Sequence, residues 1–248
     1  MDVVYAIRMS KQLIFHAFAL AQTAFGLFYD LCIVKYPVTH YNWHHPLGGN
    51  MKFLSTQNML IQTVYYIIAL LNDVIGTNAM EKNLPQIRLI RDHYFASLAF
   101  PLAVYVTYQY WSLYYMGGDW VSPPVLNSVV PKWLNLAEHA NVSILIFLDI
   151  FLCARKYPNR LTSLLFLYTY VWAYVAWLYY VKEKAGFWVY HIFAEMTEKQ
   201  RRNTFALILA KILFIYMQGE LINNTVWGSQ LFCSQNTNDS QCDKCTQA

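Results

Sequence analysis

The sequence predicts an all-α fold, a polytopic transmembrane helix bundle of about six spans. Hydrophobic residues make up 57% of the 248 positions and charged residues only 13%, whereas an average soluble domain is about 45–50% apolar and about 25% charged. Aromatic residues reach 17%, as expected of a chain that meets the membrane interface repeatedly. Apolar stretches long enough to cross a bilayer recur along the chain. This composition excludes a soluble domain.

Six stretches are predicted to be membrane helices, each bounded by polar loops that carry proline, glycine or charged residues. The first begins with basic residues, but its apolar run is too long for a signal peptide and no small-residue cleavage site follows, so we interpret it as a membrane anchor. The predicted spans are residues 12–34, 54–76, 94–116, 133–153, 161–181 and 205–227.

Residues 1–227 are therefore predicted to form one membrane domain, and the polar residues 228–248 a disordered tail. An even number of spans places both termini on one side, which we expect to be the cytoplasm, although lysine and arginine are almost evenly divided between the two sets of loops.

The lipid bilayer is the expected environment, in the plasma membrane or in the endoplasmic reticulum and other endomembranes. A net charge of +4 is too small to indicate a nucleic-acid-binding surface, so no nucleic-acid partner is expected. The oligomeric state is not predicted.

Polar residues inside the spans are the candidate functional residues, because ionisable groups are costly in a bilayer. Glu138 and His139 lie early in the fourth span, and Asn135 shares a helix face with His139. A histidine is largely neutral at pH 7 and can act as a general base. The structural alternative is an interfacial helix end, where both side chains contact water.

A second polar cluster opens the second span with Ser55, Thr56, Gln57 and Asn58. A serine or threonine hydroxyl can be an acyl-transfer nucleophile when a base lies within hydrogen-bond reach. The alternative is again structural, because such residues cap helix starts and form hydrogen bonds between membrane helices.

Other polar residues in the spans are interpreted as structural. Glu220, Asn223 and Asn224 share one face of the sixth span and are predicted to form a hydrogen-bond network between helices. The three aspartates near span ends are expected to contact water at the interface; they are Asp30, Asp73 and Asp149. Motifs of zinc and nucleotide sites are absent, as is the Gly-x-Ser-x-Gly elbow. No metal and no cofactor are expected.

Short segments spread over the chain resemble the androgen-induced protein family, whose other well-known branch is the androgen-dependent tissue-factor-pathway-inhibitor-regulating protein. Their order and spacing together carry the resemblance, which covers about residues 12–227. The segments are Gly-Asn-Met-Lys-Phe-Leu-Ser-Thr (49–56), Ile-Gln-Thr-Val (61–64), Arg-Asp (91–92), Ala-Phe-Pro (99–101), Pro-Lys-Trp-Leu-Asn (131–135), Tyr-Pro-Asn-Arg (157–160), Gly-Phe-Trp-Val-Tyr (186–190) and Gly-Glu-Leu-Ile-Asn-Asn (219–224).

The resemblance implies a multi-pass membrane hydrolase that cleaves fatty acid esters of hydroxy fatty acids with a threonine nucleophile and a histidine. The family pattern Lys-Phe-Leu-Thr falls on residues 52–55, where this chain has Ser55 in place of threonine, followed by Thr56. The family histidine falls on His139. Ser55 is therefore the expected nucleophile of a lipid esterase, His139 its base, and Thr56 the alternative nucleophile. The competing hypothesis is a non-catalytic membrane protein of regulatory or transporter-like function.

Overall fold

The computed structural model describes residues 3–79, 83–117, 119 and 121–236. Within these ranges all regular structure is helical, which confirms the all-α class. Two π-helical turns, Phe95–Ala99 and Ala137–Asn141, join α3 to α4 and α5 to α6. The helices are α1 (Val3–Cys32), α2 (Leu54–Ile75), α3 (Gln86–Tyr94), α4 (Phe100–Gly117), α5 (Lys132–Leu136), α6 (Val142–Leu152), α7 (Arg160–Ala185), α8 (Ile192–Glu195) and α9 (Glu198–Asn236).

In the described part of the chain, six helical passes run between two chemically different ends of the bundle. At one end the loops after α1 and after α7 pack together through an aromatic cluster that includes Trp43 and Trp188. At the other end Gln12 donates a hydrogen bond to the Leu152 carbonyl (2.7 Å), and Trp227 donates one to Ile150 (2.7 Å). The passes are α1, α2, α3 with α4, α5 with α6, α7, and α9.

Five helical segments are long and apolar enough to cross a membrane, where the sequence predicted six. The predicted span 94–116 is helical and crosses the bundle, but it is not among the five. α4 carries five tyrosines and Gln109, and two of these tyrosines, Tyr105 and Tyr110, are buried in the bundle. The five segments are Lys11–Cys32, Leu54–Ile75, Lys132–Leu152, Arg160–Ala185 and Glu198–Gly228.

Local sequence explains both ends of α7. The Asn159 side-chain oxygen accepts a hydrogen bond from the Leu161 N–H (2.8 Å), as expected of an N-cap. The helix ends at Gly186, which adopts the left-handed conformation (φ 79°) that glycine supplies without strain. At the C-terminus, α9 continues to Asn236, past the predicted start of the tail. The rest of that tail, residues 237–248, lies outside the described residues.

A buried ion network holds together the end of the bundle where α1 begins. His16 lies between two carboxylates, with its Nδ1 2.5 Å from Asp73 and its Nε2 3.1 Å from Asp149. Asp149 also pairs with Arg155 at 2.7 Å and accepts a hydrogen bond from the Tyr65 hydroxyl. Burial lowers the pKa of Arg155, but the Asp149 carboxylate outweighs burial and holds that pKa above its usual value. Arg155 therefore stays charged and neutralises the buried carboxylate.

The expectation that the three aspartates contact interfacial water is wrong. Asp30, Asp73 and Asp149 are 2%, 7% and 0% exposed. Each accepts hydrogen bonds from protein groups, because polar groups within a membrane bundle must find their partners inside the protein.

A second buried ion group ties α3 to the loop that follows α6. The Asp92 carboxylate pairs with Arg88 (3.1 Å) and with Arg91 (2.7 Å), and it accepts the Lys156 backbone N–H (3.0 Å). The Arg88 guanidinium also donates to the Ala154 carbonyl. This group fixes where the third pass enters the bundle.

The ion network predicts a large loss of stability when Arg155 is replaced. In Arg155→Met the Asp149 carboxylate stays buried without its cation, and breaking a buried pair in this way costs on the order of 3–5 kcal/mol. Arg160→Met is the matched control, because its pair with Glu220 is solvent-exposed at the arginine (63%) and is worth at most about 1 kcal/mol. Thermal unfolding in detergent micelles compares the two. Equal midpoints for both variants would contradict the role given to the network.

Two glycines of α9 give a second prediction. An added Cβ at Gly219 would lie 2.6 Å from the Phe100 ring and 2.8 Å from the Tyr157 hydroxyl. Gly219→Ala should therefore destabilise the bundle by about 1–3 kcal/mol through overpacking. At Gly228 a Cβ meets nothing within 4 Å, so Gly228→Ala should be neutral, or stabilising by up to about 1 kcal/mol through helix propensity. Thermal unfolding in detergent micelles compares these two variants as well. If the Gly219→Ala protein is as stable as the Gly228→Ala protein, the close packing of α9 on α4 is refuted.

Candidate active site

A cavity of about 250 Å³ lies at the bundle end opposite the ion network. It is enclosed by α2, α4, α7, α9 and the π-helical turn after α5, and loop residues close one side. Its walls are mostly aliphatic and aromatic. A few polar side chains converge on it, as is typical of a small-molecule site. Apart from tyrosines and a tryptophan, these are Ser55, Gln109, Asn135, Glu138, His139, Thr204 and Lys211.

Ser55 occupies the first turn of α2 and lines the cavity. Its hydroxyl makes no hydrogen bond within the described ranges, so the oxygen is free to face a ligand. The helix start is fixed by two tyrosines: the Leu54 N–H donates to the Tyr190 hydroxyl (2.9 Å), and the Tyr174 hydroxyl donates to the Lys52 carbonyl (3.1 Å). The aromatic loop end of the bundle therefore positions Ser55.

Thr56 is directed away from the cavity. One residue further along a helix turns a side chain by about 100°, and the Thr56 hydroxyl donates to the Asp30 carboxylate at 2.7 Å. Thr56 is 1% exposed and joins α2 to α1. Asn50 donates to the other Asp30 oxygen (3.2 Å). The geometry thus separates the two candidate nucleophiles into a cavity-lining serine and a threonine engaged in a helix contact.

Lys52 lies next to this group, before α2 begins. It is 1% exposed and donates to the His45 carbonyl at 3.1 Å. Burial lowers the pKa of Lys52 to about 8, and the nearby Asp30 carboxylate partly opposes that shift.

His139 lies in the π-helical turn Ala137–Asn141 and lines the same cavity as Ser55. Its Nδ1 is 3.0 Å from the Asn135 carbonyl. A carbonyl oxygen can only accept, so Nδ1 carries the proton and Nε2 keeps a free electron pair. The ring stacks on Tyr110 (3.7 Å between centroids, 20° between planes), and the Tyr110 hydroxyl accepts a hydrogen bond from the Asn135 amide (2.6 Å). The imidazole is therefore held in the tautomer that a general base requires.

The Asn135 carbonyl and the Tyr110 ring together orient the His139 imidazole. Glu138 adds a feature that the sequence did not predict. A π-helical turn is wider than an α-helical one, and both Glu138 and His139 line the cavity. Glu138 is buried, and its Oε1 has no hydrogen-bond partner in the described part of the chain. π-Helical turns of this kind occur frequently at functional sites.

Ser55 and His139 are brought to one cavity by the packing of α2 against the π-helical turn. The cavity also reaches the outer surface of the bundle. Leu207 lines it while remaining 60% exposed, and this residue belongs to the membrane-crossing part of α9. One wall of the cavity is therefore formed by a residue that is also exposed on a helix long and apolar enough to cross a membrane.

One group of side chains away from the cavity has the composition of a metal site. Ligand atoms of His16, Asp149 and Cys153 lie within 4.8 Å of one another. However, Arg155 pairs with Asp149 at 2.7 Å, and its guanidinium would repel a metal cation at that oxygen. We therefore assign these residues to the ion network.

The polar residues late in the sixth pass have structural contacts. Asn223 is buried and donates to the Arg155 carbonyl (2.9 Å), and Glu220 pairs with Arg160 (2.9 Å). Asn224 is exposed and accepts a hydrogen bond from the Asn223 side chain (3.4 Å) within the same helix. Glu220 and Asn223 thus contact other segments of the protein, whereas Asn224 contacts only its neighbour in α9 among the described residues.

Two further cavity residues were missed by the sequence analysis. Lys211 lies in the sixth pass and Gln109 in the third. The available signal was the charge of Lys211 inside an apolar stretch, because an ionisable residue in a span is a functional candidate by default.

Comparison with known proteins identifies the family of this chain. The family model described as FAR-17a/AIG1-like protein matches residues 11–224. The chain is 32% identical to the human androgen-dependent TFPI-regulating protein over 184 residues, 73% of this chain and 79% of the relative. It is 28% identical to the human androgen-induced gene 1 protein over 211 residues, 82% of this chain and 89% of that protein. No solved structure matches. The chain therefore belongs to the FAR-17a/AIG1-like family.

Proposed function

We propose that this protein is a membrane-embedded hydrolase that cleaves fatty acid esters of hydroxy fatty acids, with Ser55 as nucleophile and His139 as base. One observation carries the proposal. A serine hydroxyl without a hydrogen-bond partner in the described residues and a histidine with a free Nε2 line the same apolar cavity. Nucleophilic catalysis by serine needs a hydroxyl and a positioned base within hydrogen-bond reach. Ser55 and His139 are not hydrogen-bonded to each other in the structure, so substrate binding has to bring Oγ and Nε2 together.

The reaction proceeds by acyl transfer. Nε2 of His139 takes the hydroxyl proton while Oγ of Ser55 attacks the ester carbonyl carbon. The tetrahedral intermediate collapses as the bond to the alcohol oxygen breaks, and the imidazolium returns its proton to the departing hydroxy fatty acid. Water, deprotonated by His139, then attacks the acyl-serine. The fatty acid leaves and the Ser55 hydroxyl is restored.

The start of α2 offers donors for the developing oxyanion. The first N–H groups of a helix have no partner within the helix. The Leu54 N–H donates to the Tyr190 hydroxyl, and the Gln57 N–H donates to the Phe53 carbonyl. The N–H groups of Ser55 and Thr56 have no such acceptor in the described part of the chain. They lie at the positive end of the helix dipole, where an oxyanion is stabilised.

The cavity suits a lipid ester. Its walls are mostly apolar, and one wall residue, Leu207, is 60% exposed on a helix long and apolar enough to cross a membrane. We infer that a two-chain ester dissolved in the leaflet enters beside this residue, without passing through water. Moving the acyl chains of such an ester from the lipid to the apolar wall of the cavity changes their free energy little. Selective recognition of the substrate must therefore come from the few polar groups of the cavity.

The proposal is tested with a fluorophosphonate probe and a palmitate ester of a hydroxystearic acid, on membranes that express matched amounts of each variant. Ser55→Ala should lose probe labelling, and both Ser55→Ala and His139→Ala should lose ester cleavage by about 10³-fold or more. Thr56→Val should keep labelling per folded molecule, because its hydroxyl serves a helix contact with Asp30.

Ser128→Ala is the control, because that exposed hydroxyl donates to a loop carbonyl outside the cavity. Labelling lost only in Thr56→Val would move the nucleophile by one residue. A folded wild-type protein that neither takes up the probe nor cleaves the ester would refute the hydrolase and favour the non-catalytic regulatory function.

A further inference from the structure

The sixth pass brings a charged side chain to the candidate active site. Lys211 lines the cavity that contains Ser55 and His139. It lies six residues, about 9 Å, past Phe205, where the apolar stretch of α9 begins. A lysine at this depth can extend its ammonium toward the interface, but the Lys211 ammonium is instead turned to the Gln109 side chain of the cavity wall. A charged side chain in a span that lines a cavity is a functional candidate.

The protein supplies only a weak partner for this charge. The Lys211 ammonium is 3.5 Å from the Gln109 side-chain oxygen and 5.1 Å from the centre of the Tyr108 ring. Within residues 3–79, 83–117, 119 and 121–236, no carboxylate lies at ion-pair distance from it. Glu138 lines the same cavity but forms no ion pair with Lys211 there. The positive charge of Lys211 is therefore not neutralised by a described carboxylate.

Gln109 adds a second donor at the same place. Its side-chain oxygen is turned toward the lysine, and its amide nitrogen makes no hydrogen bond in the described part of the chain. An ammonium and an amide N–H beside each other match the two oxygens of a carboxylate, and hydrogen bonds to a charged acceptor are the strong ones.

The pair lies beside the exposed wall of the cavity. Lys211 is one helical turn from Leu207, so the two share the face of α9 that lines the cavity, and Leu207 is 60% exposed. A lipid that entered beside Leu207 would meet Lys211 next.

We propose that Lys211 and Gln109 form a carboxylate subsite that binds the free acid group of the substrate, so that the enzyme selects acidic lipid esters over neutral ones. This inference rests on the proposed hydrolase function and deepens it. Ser55 and His139 act on the ester carbonyl, and the subsite fixes the distance between the ester and the acid group.

The test compares two substrates that differ only at this group: the palmitate ester of a hydroxystearic acid and the methyl ester of the same molecule. Wild type should prefer the free acid in kcat/KM. Lys211→Met removes the charge, keeps the length of the side chain, and should lower kcat/KM for the acid by about tenfold or more. The value for the methyl ester should stay unchanged. Lys211→Arg should retain most of the preference, and Arg202→Met, which removes an exposed cation from the first turns of α9, should retain all of it.

Binding to the Ser55→Ala protein separates this proposal from the hydrolase itself, because it needs no turnover. Quenching of tryptophan fluorescence by the acid and by its methyl ester gives both dissociation constants. Adding Lys211→Met should weaken binding of the acid alone by a similar factor. An unchanged ratio between acid and methyl ester overturns the subsite, whether or not the protein turns over. If Lys211→Met weakens binding of free palmitate but leaves that ratio unchanged, the lysine binds a product acid and the proposal is wrong.

Discussion

Every buried polar group in this molecule has to find its partner inside the protein, because the bilayer interior offers no water. The two ends of the bundle meet this constraint differently. At one end His16, Asp73, Asp149 and Arg155 neutralise one another and connect three passes with a loop. At the other end the Ser55 hydroxyl and Glu138 Oε1 line the cavity without a hydrogen-bond partner in the described part of the chain. The charges of the ion network are thus compensated within the protein, whereas these two cavity groups are open to a ligand.

Aromatic residues provide both the packing and some of the hydrogen bonds at the cavity end of the bundle. The loops at the cavity end pack through Trp43, Trp188 and neighbouring rings, and the tyrosines among them donate hydrogen bonds as well as fill volume. A tyrosine presents an apolar ring and one polar atom, so it can support a helix start such as that of α2 without adding charge. The high aromatic content of the chain therefore serves the inside of the site as well as the membrane interface.

The helices could be predicted from hydropathy because an apolar stretch of sufficient length has few alternatives in a bilayer. The predicted span 94–116 was the difficult one, since α4 lies centrally and carries tyrosines that hydropathy counts as polar. Ser55 and His139 became candidates through the family pattern and the rarity of polar residues in spans. The π-helical turn and the burial of Asp149 could not be predicted, because both depend on which passes become neighbours. The charge of Lys211 inside an apolar stretch is visible in the sequence, but only the structure shows that this side chain lines the cavity.

A serine at position 55, where the resemblance implies a threonine, has a bounded physical consequence. Both residues place an oxygen on Cβ, so the backbone at the start of α2 presents either hydroxyl to the same side. Threonine in a helix divides between two χ1 rotamers, whereas serine distributes over about three staggered rotamers. If one rotamer is productive, serine reaches it about a third of the time and threonine about half of the time, a loss of less than about twofold. That factor is small beside the contribution of a nucleophile, so the substitution tunes the proposed reaction without removing its chemistry.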